Sequence, residues 1–192
     1  METALTEELS LVGRCRAGDA TAFDTLVARY ASVIYNLAQR MMGNPDDAED
    51  AAQLTFVRAY TSIHKFRGGS SFGTWLYRIA VNICLDELKK RRRAGSVFSE
   101  LPEPSSQLPA PPSADDPENA ILRKERQELI ESAINSLPEQ QRVVLLLSDV
   151  QGLSYEEMVK VTGTTLGTVK SRLNRARIAL KERLERHMEL LR

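Results

Sequence analysis

The sequence predicts an all-α protein: two small helical domains joined by a flexible linker, the C-terminal one containing a helix-turn-helix. Three observations carry this. Apolar residues recur at spacings of three and four along the ordered stretches, and no strand-like alternation competes. Residues 94–119 hold six of the eight prolines and five acids without one base, a composition that cannot bury enough apolar surface to fold alone. Ser154 to Arg186 reads as two helices across a very short turn. At 192 residues and 42% hydrophobic content, the chain has enough apolar material for packed cores.

In chain order, Thr6 to Ala17 is a short helix expected to turn Leu9 and Val12 inward, ended by Gly18. Asp19 caps the next, in which Phe23, Leu26, Val27, Tyr30, Ile34, Leu37, Ala38 and Met41 form one face up to Gly43. Asn44-Pro45-Asp46-Asp47 is a helix start: Asn caps, Pro fits the first turn, and carboxylates complement the dipole. That helix runs to about Lys65 with Ala48, Ala52, Phe56, Ala59 and Ile63 on one side. Phe66 to Ser71 is a Gly/Ser loop, and Thr74 is expected to cap a helix reaching Arg93. Its buried face is Leu76, Ile79, Ala80 and Ile83, widened by Tyr77, Val81 and Leu88. Order resumes near Ala120 with Ile121, Leu122, Leu129, Ile130 and Ile134. Leu137-Pro138 breaks it, and Glu139 to Val150 forms a helix around Val143, Val144, Leu146 and Leu147.

Ser154 with Glu157 is a capping box, and Tyr155, Met158 and Val159 give the helix behind it an apolar face. Gly163 supplies the positive φ that closes it. Thr165 caps a longer helix with Leu166, Val169, Leu173, Ala176 and Leu180 inward. Its other face carries Lys170, Ser171, Asn174 and Arg175, with Arg172, Arg177 and Lys181 towards the flanks. From Leu166 to Arg186 there are seven Lys/Arg and two acids. Such a helix suits the major groove, where Arg or Lys bonds guanine, Asn bonds adenine and flanking cations meet phosphates. The competing reading is a solvated amphipathic helix closing a small bundle.

The zero net charge conceals a partition: −4 over residues 1–60, +6 over 61–95, −5 over 96–119 and +3 over 120–192. Two basic zones around an acidic insert suggest contact with a polyanion at two places. The insert's acidity is either solubilising or a mimic of nucleic acid in a basic channel. In the first basic zone Trp75, Arg78, Asn82, Asp86 and Lys89 share one helix stripe that leads into the basic run through Arg91 to Arg93. With a Gly/Ser loop before it, that set suits unstacked bases and phosphates. Against this, Trp75 and Tyr77 are of types more often found in cores.

Cys15 and Cys84 lie far apart, make no metal-ligand spacing and read as structural thiols, with a redox switch as the minority view. No cofactor is implied. His64 and His187 are isolated, and no phosphate loop, HExxH or nucleophile elbow is present, so an enzyme is not expected. There is no membrane-spanning run and no signal-peptide pattern after Met1, so a cytoplasmic protein without direct membrane insertion is expected.

Six stretches, in order, carry a resemblance: Asp47 to Phe56, Phe66-Arg67-Gly68, Thr74-Trp75-Leu76-Tyr77-Arg78-Ile79-Ala80-Val81-Asn82, Leu137 to Arg142, Gly152 to Glu157, and Gly167-Thr168-Val169-Lys170-Ser171-Arg172. Together the chain resembles the bacterial RNA polymerase sigma factors, specifically the extracytoplasmic-function (ECF) group. The resemblance implies region 2 over residues 1–93 and region 4 over residues 120–192. Region 2 would bind the β′ clamp helices of core polymerase through Asp47, Asp50, Gln53 and Phe56. It would handle the promoter −10 strand around Trp75, Arg78, Asn82, Asp86, Lys89 and Arg91, with Phe66 to Gly73 capturing an extruded base. Region 4 would read the −35 element through Lys170, Ser171, Arg172, Asn174, Arg175 and Arg177, and would contact the β flap. The group also implies an anti-sigma factor as partner. Leu54 stands where the family usually has Glu, which replaces one polar polymerase contact with a side chain that could pack against the partner. Gly69 and Gly73 stand where an acidic and a larger residue are common, so the family's −10 base preference does not transfer. A homodimeric helix-turn-helix regulator is the second reading.

Overall fold

The structure, a computed structural model, describes residues 2–95 and 117–190. Among them every regular element is helical. The first half holds α1 (Glu2–Arg16), α2 (Ala20–Met42), α3 (Pro45–Ser62, extended by a 3₁₀ turn over Ile63–Lys65) and α4 (Phe72–Gly95). The second holds α5 (Pro117–Asn135), α6 (Glu139–Leu145, continued by one π turn over Leu146–Val150), α7 (Tyr155–Thr162) and α8 (Leu166–Leu190). The flexible linker expected over 94–119 falls mainly on residues 96–116, which lie outside the described residues. Its two ends are helical, since α4 runs to Gly95 and α5 begins at Pro117.

The caps follow the sequence. The Asn44 side chain accepts from the N–H groups of Asp46 at 2.9 Å and Asp47 at 3.2 Å, and Gly43 ends α2 at φ 72°. Asp19 accepts from Thr21 N at 3.0 Å and Ala22 N at 3.2 Å, and receives Arg14 at 2.7 Å. The Thr21 hydroxyl also donates to Asp19 Oδ1 at 2.7 Å, and that bond first, then that of Arg14, holds the Asp19 carboxyl down at about 2. A depressed carboxylate contributes stability fully above its unfolded value near ~3.9, and loses it as pH falls towards the folded value. Acid titration followed by NMR should therefore fray the first turn of α2 between about pH 4 and 2, and Asp19→Asn should remove that dependence while keeping a cap.

Two inward expectations fail. Leu9 is 50% exposed, because α1 buries the face of Glu8, Leu11, Val12 and Cys15, a quarter turn away. Leu166 is 40% exposed, because it is the first residue of α8, and the helix seats itself in the core only from Val169 onward, through Leu173 and Ala176.

The two halves do not stand apart. Leu26, Ile34, Leu37, Met41, Phe72 and Leu76 from the first and Leu146, Leu147, Met158 and Leu173 from the second belong to one contiguous cluster of buried side chains. Polar contacts flank it: Tyr77 Oη donates to Gln151 Oε1 at 3.0 Å, Thr74 Oγ1 to Glu157 Oε1 at 3.1 Å, and Lys160 Nζ to the Gly69 carbonyl at 2.6 Å. The buried Arg142 guanidinium donates to the carbonyls of Met41 at 2.6 Å, Leu137 at 3.2 Å and Asn135. Any separation of the halves has to break the Tyr77, Thr74, Lys160 and Arg142–Met41 bonds and expose part of the shared cluster.

Candidate nucleic-acid interface

The helix-turn-helix is built as its sequence dictates. Ser154 Oγ accepts from Glu157 N at 3.3 Å, and the Glu157 carboxylate accepts from Ser154 N at 2.9 Å. This backbone bond, the largest cause, holds the Glu157 carboxyl below its ordinary range. Gly163 sits at φ 66° with its N–H on the Val159 carbonyl at 2.9 Å. Thr165 Oγ1 accepts from Thr168 N at 3.2 Å and opens α8. Val169, Leu173 and Ala176 lock that helix to the core and fix which face it offers outward.

On the outward face Lys170, Asn174 and Arg175 are exposed, and Asn174 and Arg175 have no partner among the described residues. Lys170 Nζ stands 5.5 Å over the Tyr155 ring. Ser171 is half-buried, and its hydroxyl donates to the Thr168 carbonyl at 3.1 Å. Two expected DNA residues serve as braces here. Arg172 donates to Gln140 Oε1 at 3.0 Å, and Arg177 forks onto Asp149 at 3.2 and 2.5 Å and reaches Ser148 at 3.3 Å. The Arg177 hydrogen bond is the main cause that lowers the Asp149 carboxyl. All of these bonds tie α8 to α6 and the π turn that continues it.

On α4, Arg78, Asn82, Asp86 and Lys89 reach the surface without a partner among the described residues. A carboxylate among two cations and an amide, none engaged, leaves hydrogen-bonding groups of both kinds available along one stripe. Trp75 is half-buried. Its ring lies 5.4 Å from Phe66 and 5.6 Å from Phe72, so it closes an aromatic cluster under the Phe66 loop. Arg91 leaves the stripe: it is ion-paired with Asp47 on α3 and lies 4.0 Å from Glu87.

Thr74 does not cap α4. The helix begins at Phe72, and Ser71 caps it, its hydroxyl accepting from Thr74 N at 3.1 Å. The N–H of Phe72 is taken from outside, by the carboxylate of Glu8 on α1 at 2.9 Å. That extra acceptor lets the helix start earlier than its local sequence suggests.

Asp50 and Gln53 are exposed on α3, while Phe56 is half-buried against the core. Beside them Leu54 is 41% and Val57 58% exposed, an apolar pair one turn apart on the outer face. Sequence reasoning does not single out Val57; its position three residues after Leu54 is the available signal. Leu54, Arg58, Ile83, Asp86, Glu87 and Lys89 line one groove between α3 and α4, so the outer face of α3 and the α4 stripe adjoin. Cys15 and Cys84 are free and buried, and burial pushes the Cys84 thiol up to about 12. A thiolate is disfavoured at both.

The geometry defines a helix-turn-helix protein with a second exposed polar stripe beside an aromatic cluster. The Sigma-70 region 2 family model matches residues 26–94, and that of Sigma-70 region 4 matches residues 127–180. The RNA polymerase sigma-H factor of Pseudomonas aeruginosa is 38% identical over 93% of this chain and 94% of its own. The ECF RNA polymerase sigma-E factor of Haemophilus influenzae is 35% identical over 96% and 98%. Among solved structures, the sigma factor RpoE in complex with the anti-sigma factor NepR from Bartonella quintana superposes with a TM-score of 0.70 at 27% identity, over 85% of this chain and 96% of that one. CnrH in complex with the cytosolic domain of CnrY gives 0.69 at 25% identity, over 93% and 97%. The chain belongs to the ECF group of RNA polymerase sigma factors. A stand-alone regulator would leave residues 26–94 unaccounted for, and the region 2 match accounts for them.

Proposed function

We propose that this protein is a promoter-specificity subunit that acts by binding, without catalysis of its own, in the cytoplasm. Residues 1–93 engage the β′ clamp helices of core RNA polymerase and the −10 element, and residues 120–192 read the −35 element and contact the β flap. Residues 94–119 connect the two. The observation that carries the reading is the pair of solvent-facing polar surfaces: Arg78, Asn82, Asp86 and Lys89 on α4, and Lys170, Asn174 and Arg175 on α8. Asp50 and Gln53, with the apolar Leu54 and Val57 beside them, form the polymerase-facing strip; Asp47 and Phe56 flank it, one ion-paired and one half-buried. Arg172, Ser171 and Arg177 hold the −35 face in position and reach phosphates from its flanks, while Trp75 supports the −10 loop and Arg91 lies at the phosphate edge beside it.

No helix among the described residues is long and apolar enough to cross a membrane. An anti-sigma factor is the expected regulator, since RpoE, a structural relative, was solved with one. The Lys160 bond to Gly69 and the Thr74 bond to Glu157 set α7 against the −10 loop, which supports a free chain that is closed over its own DNA surface. Footprinting tests this. Free protein should protect promoter DNA poorly, and protein with core polymerase should protect both elements; equal protection by free protein would overturn the reading.

A further inference from the structure

Glu8 lies on α1, far in sequence from either surface, yet it is 8% exposed and both oxygens of its carboxylate are used at the −10 loop. Oε1 accepts from Phe72 N at 2.9 Å, and Oε2 accepts from Tyr30 Oη at 2.5 Å. Tyr30 in turn packs edge-on to Phe72, with ring centres 5.6 Å apart. Burial first, and the bond to Glu8 second, push the Tyr30 phenol upward, so it remains a donor throughout the physiological range.

The same tyrosine explains Gly73. A Cβ at that position would meet Tyr30 Oη at 3.0 Å and Cε1 at 3.1 Å, tighter than ordinary side-chain contacts. The space a larger residue would fill at 73 is therefore occupied by the Tyr30 ring. Phe72 then continues the stack to Phe66 at 6.0 Å and Trp75 at 5.6 Å, the two aromatics that bound the loop from either end. Glu8 thus acts on a chain of contacts that runs through Tyr30 and Phe72 to the floor and the C-terminal hinge of the Phe66–Gly73 loop.

We propose that Glu8 and Tyr30 are positioning residues for −10 recognition: together they set the height and orientation of the loop that receives an extruded base, with Gly73 fitted to Tyr30. This rests on the sigma-factor reading of the loop. It predicts that base preference at one −10 position depends on two residues that never touch DNA. Loop recognition is sensitive to such placement, because small displacements of a supporting shell cost far more than the supporting bonds themselves.

The test is run-off transcription by holoenzyme on a library randomised across the −10 element, with 2-aminopurine placed at each −10 position to report extrusion. Glu8→Ala should flatten preference at the captured position about tenfold and reduce the extrusion signal there, with −35 preference unchanged. Glu8→Gln should retain the profile, since its amide oxygen accepts from Phe72 N and its NH₂ donates to Tyr30 Oη. Tyr30→Phe, which keeps the ring and removes one bond, should flatten the same position to a smaller degree and serves if Glu8→Ala does not fold. A Glu8→Ala or Tyr30→Phe profile that matches wild type, with only total yield or melting temperature lowered, would overturn the proposal. Absence of any −10 preference in wild-type holoenzyme would instead overturn the sigma-factor reading beneath it.

Discussion

Arg142→Ala is expected to lower the free energy of unfolding by about 3 kcal/mol or more, since each hydrogen bond from a charged group contributes roughly 1.5–3 kcal/mol. The reason is positional. Its guanidinium donates to Met41 O in the last turn of α2, to Asn135 O at the end of α5, and to Leu137 O in the break before α6. Helix ends leave carbonyls without partners, and one buried cation here completes two of them. It is 9% exposed, so water cannot replace it without the halves parting. Urea unfolding checks this: the midpoint should fall at unchanged slope. Arg142→Lys should recover only part of the stability, because an ammonium cannot reach three carbonyls as a planar fork does. A change below about 1 kcal/mol would mean that the cross-half bond to Met41 contributes little.

The second large effect is functional. Arg78→Ala with Asn82→Ala should reduce initiation at a −10-dependent promoter by about 100-fold or more, at roughly 1–3 kcal/mol for each base that is no longer read. Neither side chain is buried or has a partner among the described residues, so their removal opens no cavity there and breaks no internal bond. Folding should be unchanged, and so should protection of the −35 element by holoenzyme. Permanganate reactivity of the −10 thymines separates the two steps: closed complexes should persist while the unpaired strand disappears.

The helical scaffold was legible because its signals are local. Gly43, Asn44, Asp19, Ser154 and Gly163 each do within a few residues what their chemistry favours, and apolar spacing of three and four set the buried faces of α2, α3 and α8. Leu9 misled because its spacing of three from Val12 fits an inward face, whereas the face that α1 buries centres on Glu8, Leu11, Val12 and Cys15. Ser71 escaped notice as the α4 cap because Thr74 is an equally good capping type three residues on, and the deciding acceptor, Glu8, lies on another helix.

The candidate surfaces were legible as stripes but not as free or engaged groups. Spacing put Arg172 and Arg177 beside Lys170, Asn174 and Arg175 on α8 without revealing that Gln140 and Asp149 bind them. Likewise Arg91 follows Lys89 in a basic run, and only the packing of α3 on α4 pairs it with Asp47. Contacts between the halves had no local signature at all. Tyr77 and Gln151 are 74 residues apart, and nothing in either segment announces the other.

Two surfaces on this chain are proposed to direct core polymerase to promoters. Run-off transcription with bacterial core polymerase over a randomised promoter library, with and without the protein, is the decisive experiment. Initiation should occur only when the protein is present, at templates sharing two separated elements, with selection at one abolished by Asn82→Ala and at the other by Lys170→Ala. No initiation, together with tight binding of a palindromic duplex by the protein alone, would contradict that proposal.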